Sequence, residues 1–192
     1  MTNSKECRKL AKRNLSERRF AHTEGVARLA RQLAKQYGAD VEKAEIAAYL
    51  HDICKEKSKE ELLQTLRENV IITRNAEKRP VGIWHAAAAM VYAKESLGIE
   101  DEEILNAIRY HTSGRAEMSL LEKIIYMADM CSEERDYSEV GELRALLRSD
   151  LDKALIKALS YSIRWLKEDQ RDIDEDSIAA LHFMSERYSA RG

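Results

Sequence analysis

The residues of this chain that could do chemistry are mainly histidines and aspartates. Four of the five histidines lie in the first two-thirds of the chain, and one of them is followed directly by an aspartate. A single histidine on an apolar helix face is usually a hydrogen-bonded core residue, but the whole pattern is hard to produce by chance. Neutral imidazole and carboxylate together are the ligand set of zinc, iron or manganese. The pattern therefore predicts a metal site formed by His22, His51, Asp52, His85, His111 and Asp129.

Apolar neighbours indicate that several of these side chains are buried. His51 and Asp52 continue the apolar run 47–50, and Asp129 follows the apolar run 124–128. A buried, ionised aspartate is costly unless it is paired or coordinates a metal ion. Adjacent residues on a helix diverge by about 100°, so His51 and Asp52 can face two different ions or hold one ion from two sides. The ligand set exceeds the needs of one tetrahedral ion, and two neighbouring divalent transition-metal ions would account for all of it.

Helices are the elements that would position these residues. Apolar residues recur at helical spacing, and capping residues mark helix starts and ends. The first helix is predicted over about Lys5 to Asn14, and Pro80 is predicted to begin a helix that runs to about Leu97. Further helix starts are predicted at Ser16, Asp40, Ser58, Asp101, Ser119 and either Asp174 or Ser177, and helix ends at Gly38 and Gly98.

Length and composition favour a single all-α domain. The chain has 192 residues, in which one proline and seven glycines accompany 34% charged and 44% hydrophobic residues. Long amphipathic helices produce this balance. We expect one helical domain over residues 1–192, with a core at about 16–131 and C-terminal helices at about 141–191 packed on it.

Charge and cysteine content disfavour several classes of protein. The net charge is −2, which gives no support for general nucleic-acid binding or a basic membrane anchor. The chain holds no run of about 18 apolar residues, and its N-terminal stretch has no apolar segment. The cysteines Cys7, Cys54 and Cys131 lie far apart and show no paired spacing. A disulfide framework is therefore disfavoured, and a cytoplasmic protein is expected.

The order and helical context of the predicted ligands resemble those of the HD superfamily of metal-dependent phosphohydrolases. More narrowly, the chain resembles the bacterial YqeK family, whose members hydrolyse diadenosine tetraphosphate symmetrically to two ADP. The resemblance covers about residues 5–165. Its narrower part is carried by the segments Arg19-Phe20-x-His22 with Gly25-Val26, Tyr49-Leu50-His51-Asp52-Ile53-Cys54-Lys55, Tyr110-His111-Thr112-x-Gly114-Arg115, Ala128-Asp129 and Arg135-Asp136-Tyr137.

The resemblance implies an HD-type helical bundle and gives the site residues their roles. It assigns one metal ion to His22, His51, Asp52 and Asp129. It also makes Asp52 bridge to a second ion, which is held by His85 and His111. Iron is the implied metal, with manganese and zinc as alternatives. Asp52 and Lys55 are implied to be catalytic, and contacts with the phosphate oxygens of the substrate are implied for Lys55, Thr112, Arg115 and Arg135.

These expectations define an enzyme that cleaves a nucleotide phosphoanhydride, with a hydroxide held between the two ions as the nucleophile. The expected partner is a small nucleotide substrate, with no nucleic acid and no membrane, and a homodimer is left open. One alternative is an HD enzyme for another nucleotide, such as a mononucleotide, a guanosine alarmone or a cyclic dinucleotide. The last is disfavoured because its double-histidine motif is absent. The other alternative is a non-enzymatic nucleotide sensor with a degraded site, against which the intact ligand positions count.

Overall fold

The structure, a computed structural model, is built from helices, and no strand occurs among the residues that it describes. It describes residues 2–191, with the backbone alone at 71 and 72, so Met1 and Gly192 lie outside the described part. This architecture confirms the all-α class. The helices are α1 Ser4–Asn14, α2 Glu17–Tyr37, α3 Val41–Leu50, α4 Lys59–Glu68, α5 Val70–Thr73, α6 Trp84–Val91, α7 Glu102–Arg109, α8 Leu120–Cys131, α9 Val140–Leu146, α10 Leu151–Glu168 and α11 Glu175–Ser189.

Helix starts lie where polar capping residues predict them, because capping is a local interaction. In each predicted case the side chain of the capping residue accepts a hydrogen bond from a backbone amide of the first turn. Two of the serines also form a capping box with the glutamate three positions on. Gly38 ends α2 in the left-handed conformation, with φ 76°, which glycine adopts at little cost. The confirmed caps are Ser16, Asp40, Ser58, Asp101, Ser119 and, at the start of α11, Asp174.

The segment that leads into α6 departs from the prediction. The helix expected from Pro80 to Leu97 begins instead at Trp84, after a 3-10 turn over Val81–Ile83. At its other end it changes into a π-helical turn over Tyr92–Ser96. The Trp84 indole Nε1 donates a hydrogen bond of 2.9 Å to the carbonyl of Arg79, which folds the preceding chain back against the helix start. No capping residue marks either change, so the sequence pattern does not reveal them.

The helices that carry the predicted ligands pack side by side. α2 packs on α3 and α8, and α7 packs on α3, α6 and α8. Four consecutive alanines, Ala86–Ala89, are buried in α6, and their small side chains let neighbouring helices approach closely. Buried residues from these helices belong to one hydrophobic cluster. The core therefore holds the ligand-bearing segments at fixed positions relative to one another.

The C-terminal helices pack on this core. α10 contacts α8, α9 and α11. The Tyr137 ring stacks on Tyr161 with the ring centroids 4.8 Å apart, and Asp174 pairs with the Arg79 guanidinium through both carboxylate oxygens. This packing supports the proposal that residues 1–192 form one domain. Within the range 2–191, none of the helices combines the length and the apolar character needed to span a membrane.

Candidate metal centre

Histidine and aspartate side chains from five parts of the chain meet in one cluster. Some lie on α2, α6 and α8, and the others lie in the turns that follow α3 and α7. The histidines are no more than 7% exposed, and Asp52 is 2% exposed. The structure thus brings together all the predicted ligands: His22, His51, Asp52, His85, His111 and Asp129.

Asp52 lies at the centre of the cluster, and each of its carboxylate oxygens faces a different pair of histidines. Its Oδ1 lies 3.3 Å from His85 Nε2 and 3.5 Å from His111 Nε2. Its Oδ2 lies 3.6 Å from His51 Nε2 and 3.8 Å from His22 Nε2. All four rings therefore present the same nitrogen, Nε2, to the shared carboxylate.

The rings and Asp129 complete a continuous array of ligand atoms. Asp129 Oδ1 lies 3.1 Å from His22 Nε2. Ring centroids are 5.5 Å apart for His22 and His51 and 4.9 Å apart for His51 and His111. The Nε2 atoms of His85 and His111 approach to 3.2 Å. So many nitrogen and oxygen acceptors at short range suit the coordination of cations.

Two of the rings are oriented by the helix that precedes them. His51 Nδ1 donates to the carbonyl of Ala48 at 2.6 Å, and His111 Nδ1 donates to the carbonyl of Ile108 at 2.8 Å. The last carbonyls of a helix lack an intrahelical partner, so they are available to a side chain just beyond the helix end. A proton on Nδ1 leaves the lone pair on Nε2, which is the atom that faces the cluster.

Several ligand atoms in the cluster are buried without a hydrogen-bond partner, and this bears on whether a metal ion fits. His22 Nε2, His51 Nε2 and Asp52 Oδ1 are buried and have no hydrogen-bond partner of good geometry in the described part of the chain. Leaving such a group unsatisfied costs about 1–3 kcal/mol. Two sets of three residues have ligand atoms that all lie within 4.8 Å of one another: His22, His51 and Asp129, and His51, Asp52 and His111. The donor set and its unmet bonds therefore fit divalent ions.

His51, His85, Asp52 and Asp129 have the protonation states that metal binding requires. For His22, burial alone would lower the pKa, but the carboxylates of Asp129 and Glu134 outweigh it and raise that pKa. Burial lowers the pKa of His51 and that of His85 to about 4, so both rings are neutral at pH 7. Burial alone would raise the pKa of Asp52, but the adjacent His51 and the nearby Lys55 outweigh it and hold that pKa well below its ordinary value. Burial likewise opposes ionisation of Asp129, and His22 outweighs it, so that this pKa is also lowered well below the ordinary value. Neutral imidazole beside ionised carboxylate is the ligating form.

Two of the predicted substrate-binding residues border the cluster. Lys55 Nζ lies 3.1 Å from His85 Nε2 and 3.9 Å from Asp52 Oδ1. Thr112 Oγ1 lies 3.3 Å from the same His85 nitrogen. An ammonium group and a hydroxyl group at this edge are able to contact phosphate oxygens of a bound substrate.

The other two predicted phosphate contacts have different partners in the structure. Arg115 forms a bidentate pair with the buried Glu122, with two nitrogen–oxygen distances of 2.7 Å. Its remaining Nη1 lies 3.4 Å from the carbonyl of Ala116, and no ion pair joins it to the cluster within residues 2–191. Arg135 donates to Asp129, to Oδ1 at 2.6 Å and to the backbone carbonyl at 3.0 Å. Each arginine is thus engaged by a carboxylate in this structure, and its contact with phosphate oxygens stays a prediction.

Arg19 and Glu134 are functional candidates to which the sequence pattern gave no role. Arg19 Nη1 donates a hydrogen bond of 2.9 Å to Asp52 Oδ2, and Glu134 Oε1 contacts His22 Nδ1. A signal existed for Arg19, because its position three residues before His22 puts the two on one face of α2. Glu134 carried a weaker signal, since an acidic residue just after α8 is usually solvated.

Residues outside the cluster take structural positions. His182 is exposed and pairs with Glu186 on its own helix, which agrees with its exclusion from the site. The three cysteines are free and buried. Burial raises the pKa of the Cys54 thiol to about 11, so without a bound metal ion the thiol is protonated at neutral pH.

Comparison with known proteins shows to which family the chain belongs. Residues 19–134 match the HD domain family. A Bacillus subtilis (strain 168) protein named symmetrical bis(5'-nucleosyl)-tetraphosphatase is 37% identical over 182 residues, covering 95% of this chain and 97% of its own length. A Halalkalibacterium halodurans protein of the same name is 40% identical over 177 residues, with coverages of 90% and 92%. A crystal structure from Clostridium acetobutylicum, described as a predicted HD superfamily hydrolase involved in NAD metabolism, matches with a TM-score of 0.87 and 34% identity over 97% of this chain and 99% of that one.

The chain belongs to the HD domain family, as its motifs indicate. HD domains are metal-dependent, and the histidine and aspartate groups described above could hold metal ions.

Proposed function

We propose that the chain is a metal-dependent hydrolase that cleaves diadenosine tetraphosphate symmetrically to two ADP. One observation carries the proposal. The complete cluster of predicted ligands occurs in a chain that is 37% and 40% identical, over 90% or more of its length, to proteins named symmetrical bis(5'-nucleosyl)-tetraphosphatase. A nucleotide sensor with a degraded site is disfavoured, because the chain keeps all the histidines and aspartates of the predicted metal-binding pattern.

Two divalent transition-metal ions, with iron as the first candidate and manganese or zinc as the others, are proposed as the cofactors. Asp52 would be shared between them, because its two oxygens face different histidine pairs. The first ion would be held by His22, His51, Asp52 and Asp129, and the second by Asp52, His85 and His111. When bound, such ions act as Lewis acids that lower the pKa of water and polarise phosphoryl oxygens.

Side chains at the edge of the cluster would bind and orient the tetraphosphate. Lys55 and Thr112 lie beside His85, and Arg19 lies beside Asp52, so positive charge is present next to the shared carboxylate. Ammonium and guanidinium groups offset the charge on non-bridging oxygens, which is the main task in phosphoryl transfer. In this proposal Asp52 and Lys55 are the catalytic residues. Lys55, Thr112, Arg115 and Arg135 remain the proposed phosphate contacts, and Arg19 is added to them because its guanidinium lies at the shared carboxylate.

A second substrate is favoured by one observation. The structural relative from Clostridium acetobutylicum is described as involved in NAD metabolism. NAD, like diadenosine tetraphosphate, joins two nucleosides through a phosphoanhydride. The phosphoanhydride of NAD could bind at the same cluster and the same cations. NAD is therefore one competing substrate, and mononucleotides, which the sequence left open, are the other.

The test is a product analysis with metal-loaded protein. Diadenosine tetraphosphate, NAD and mononucleotides are incubated separately with protein loaded with Fe²⁺ or Mn²⁺, and the products are resolved by chromatography. We expect ADP alone from diadenosine tetraphosphate. We expect Asp52→Asn to be inactive and to have lost metal, whereas Asp136→Asn, which changes an exposed aspartate, should behave like the wild type. Equimolar ATP and AMP, or turnover of NAD alone, would contradict the proposal.

A further inference from the structure

We propose that Glu134 is a positioning residue that orients His22 toward the metal centre. Glu134 Oε1 contacts His22 Nδ1, the ring nitrogen that faces away from the cluster. The other ring nitrogen, Nε2, lies 3.1 Å from Asp129 and 3.8 Å from Asp52. The inference rests on the proposed function, because it assigns Glu134 to the ion that His22 would bind.

The position of His22 explains why it needs a partner from elsewhere in the chain. His51 and His111 lie just past helix ends, where free backbone carbonyls accept their Nδ1 protons. His22 lies inside α2, where the nearby carbonyls already accept the amide protons of the next turn. A carboxylate that reaches Nδ1 from outside the helix supplies the missing acceptor and keeps the lone pair on Nε2.

Glu134 is itself held in place by its surroundings. Its Oε1 accepts a hydrogen bond of 2.6 Å from Ser132 Oγ. Its Oε2 lies against Gly25, one turn along α2 from His22, where an added Cβ atom would approach to 2.9 Å. Real Cβ atoms do not come this close, so the absence of a side chain at Gly25 leaves the space that the carboxylate occupies.

The segment that carries Glu134 is fixed by one arginine on α9. The Arg144 guanidinium donates to the carbonyls of Cys131 at 3.0 Å, Ser132 at 2.6 Å, Glu133 at 3.2 Å and Arg135 at 2.9 Å. Next in the chain after Glu134 is Arg135, which binds Asp129. The segment 132–135 therefore touches two of the side chains proposed to hold the same ion.

The experiment measures metal binding directly, without turnover. Metal-stripped protein is titrated with Mn²⁺, and free Mn²⁺ is followed by electron paramagnetic resonance. Removing an outer carboxylate partner of a ligating histidine typically weakens metal binding by about 10–100-fold. We expect a loss of this size in Glu134→Ala, confined to one class of site. Glu134→Gln should lie between this variant and the wild type, because its amide oxygen still accepts the Nδ1 proton without the charge.

Two further variants separate positioning from a general structural effect. Glu133→Gln alters the neighbouring glutamate, which is 84% exposed and pairs with Arg28, and it should bind Mn²⁺ like the wild type. Gly25→Ala should displace the Glu134 carboxylate and weaken Mn²⁺ binding. Because alanine favours a helix more than glycine does, the melting temperature of metal-free Gly25→Ala should not fall. Opposite responses of binding and stability are not expected from a merely structural role.

The outcomes distinguish this inference from the proposed function. The Glu134 side chain is 43% exposed, so its replacement opens no buried cavity and the variants should fold. If the wild type binds Mn²⁺, His22→Ala weakens that binding and Glu134→Ala does not, the inference is overturned while the metal centre stands. If the wild type binds neither Mn²⁺ nor Fe²⁺, the metal centre fails and the inference fails with it.

Discussion

Arg19 and Arg115 show how the partner of an arginine decides what its removal should cost. Arg19 donates to Asp52 within the cluster, whereas Arg115 is engaged by the buried Glu122. Arg19→Ala should therefore lower kcat/KM for the nucleotide. The loss of transition-state stabilisation should be about 1.5–3 kcal/mol, the range for a hydrogen bond to a charged group. Bound metal should not fall, because removal of a positive charge beside Asp52 does not weaken its attraction for cations.

Arg115→Ala is the matched comparison. It leaves the Glu122 carboxylate, 1% exposed, without its bidentate partner, so the free energy of unfolding should fall by about 1–3 kcal/mol. Urea unfolding of the metal-free variants and steady-state kinetics of the loaded ones would separate the two effects. An Arg115→Ala protein of normal stability and low kcat/KM would show that the phosphate contact of Arg115 matters more than its pairing with Glu122.

At the residue scale, the sequence predicted which histidines and aspartates the fold brings together, and it predicted Lys55 and Thr112 at their edge, but it gave no role to Arg19 or Glu134. His22, His51 and Asp129 could be identified because histidine and aspartate beside apolar runs are rare. Arg19 and Glu134 were given no role, because charged residues on helix faces and in loops are mostly solvated, and their positions near predicted ligands do not outweigh that expectation. The pairing of Arg115 with Glu122 depends on the shape of the turn that leads into α8, and the pattern of a single sequence does not reveal such a shape.

At the scale of the helix, the sequence predicted features that depend on neighbouring residues and missed features that depend on tertiary contacts. Helix starts such as those at Ser16 and Asp101 were correct, because the cap and the amide that it accepts from are neighbours in sequence. The π-helical turn at Tyr92–Ser96 was missed, because no residue type signals it. Within it, the fully buried Ala93 also accepts a backbone hydrogen bond of 3.1 Å from Ile99. Tertiary packing decides that choice of hydrogen bonds, so a local pattern could not reveal it.

The turn between α7 and α8 provides a test of packing at this scale. Gly114 has φ 67°, and an added Cβ would lie 3.3 Å from Ala180 Cβ and 3.4 Å from Leu159 Cδ2. Gly114→Ala should therefore cost about 1–2 kcal/mol for the left-handed backbone and a further 1–3 kcal/mol, roughly, for crowding α10 and α11. Gly98 has φ 64° with nothing within 4 Å, so Gly98→Ala should show the backbone cost alone. Chemical denaturation of both variants gives the difference, and equal losses would show that the C-terminal helices yield without cost.

At the scale of the whole molecule, metal binding should couple to stability. A ligand that binds the folded chain alone raises the free energy of unfolding by about 2.7 kcal/mol at 100 times its dissociation constant. We expect Mn²⁺ to stabilise the wild type by at least this amount in urea unfolding, and a chelator to reverse the effect. His182→Ala, which changes an exposed histidine outside the cluster, should respond like the wild type, whereas Asp52→Asn should not. Equal stabilisation of Asp52→Asn would place the bound ion elsewhere.

The spacing of the cluster along the chain has a consequence for how the protein is made. The ligand positions extend from His22 to Asp129, more than half of the chain, and Glu134 and Arg144 come later still. Synthesis proceeds from the N-terminus, so a nascent chain that ends before α8 exposes most of the histidines without the helix that completes their array. Closing a loop of that length costs entropy before any ion can be held by both ends. We therefore expect ion capture to be a late event in biogenesis, one that joins the first half of the polypeptide to α8.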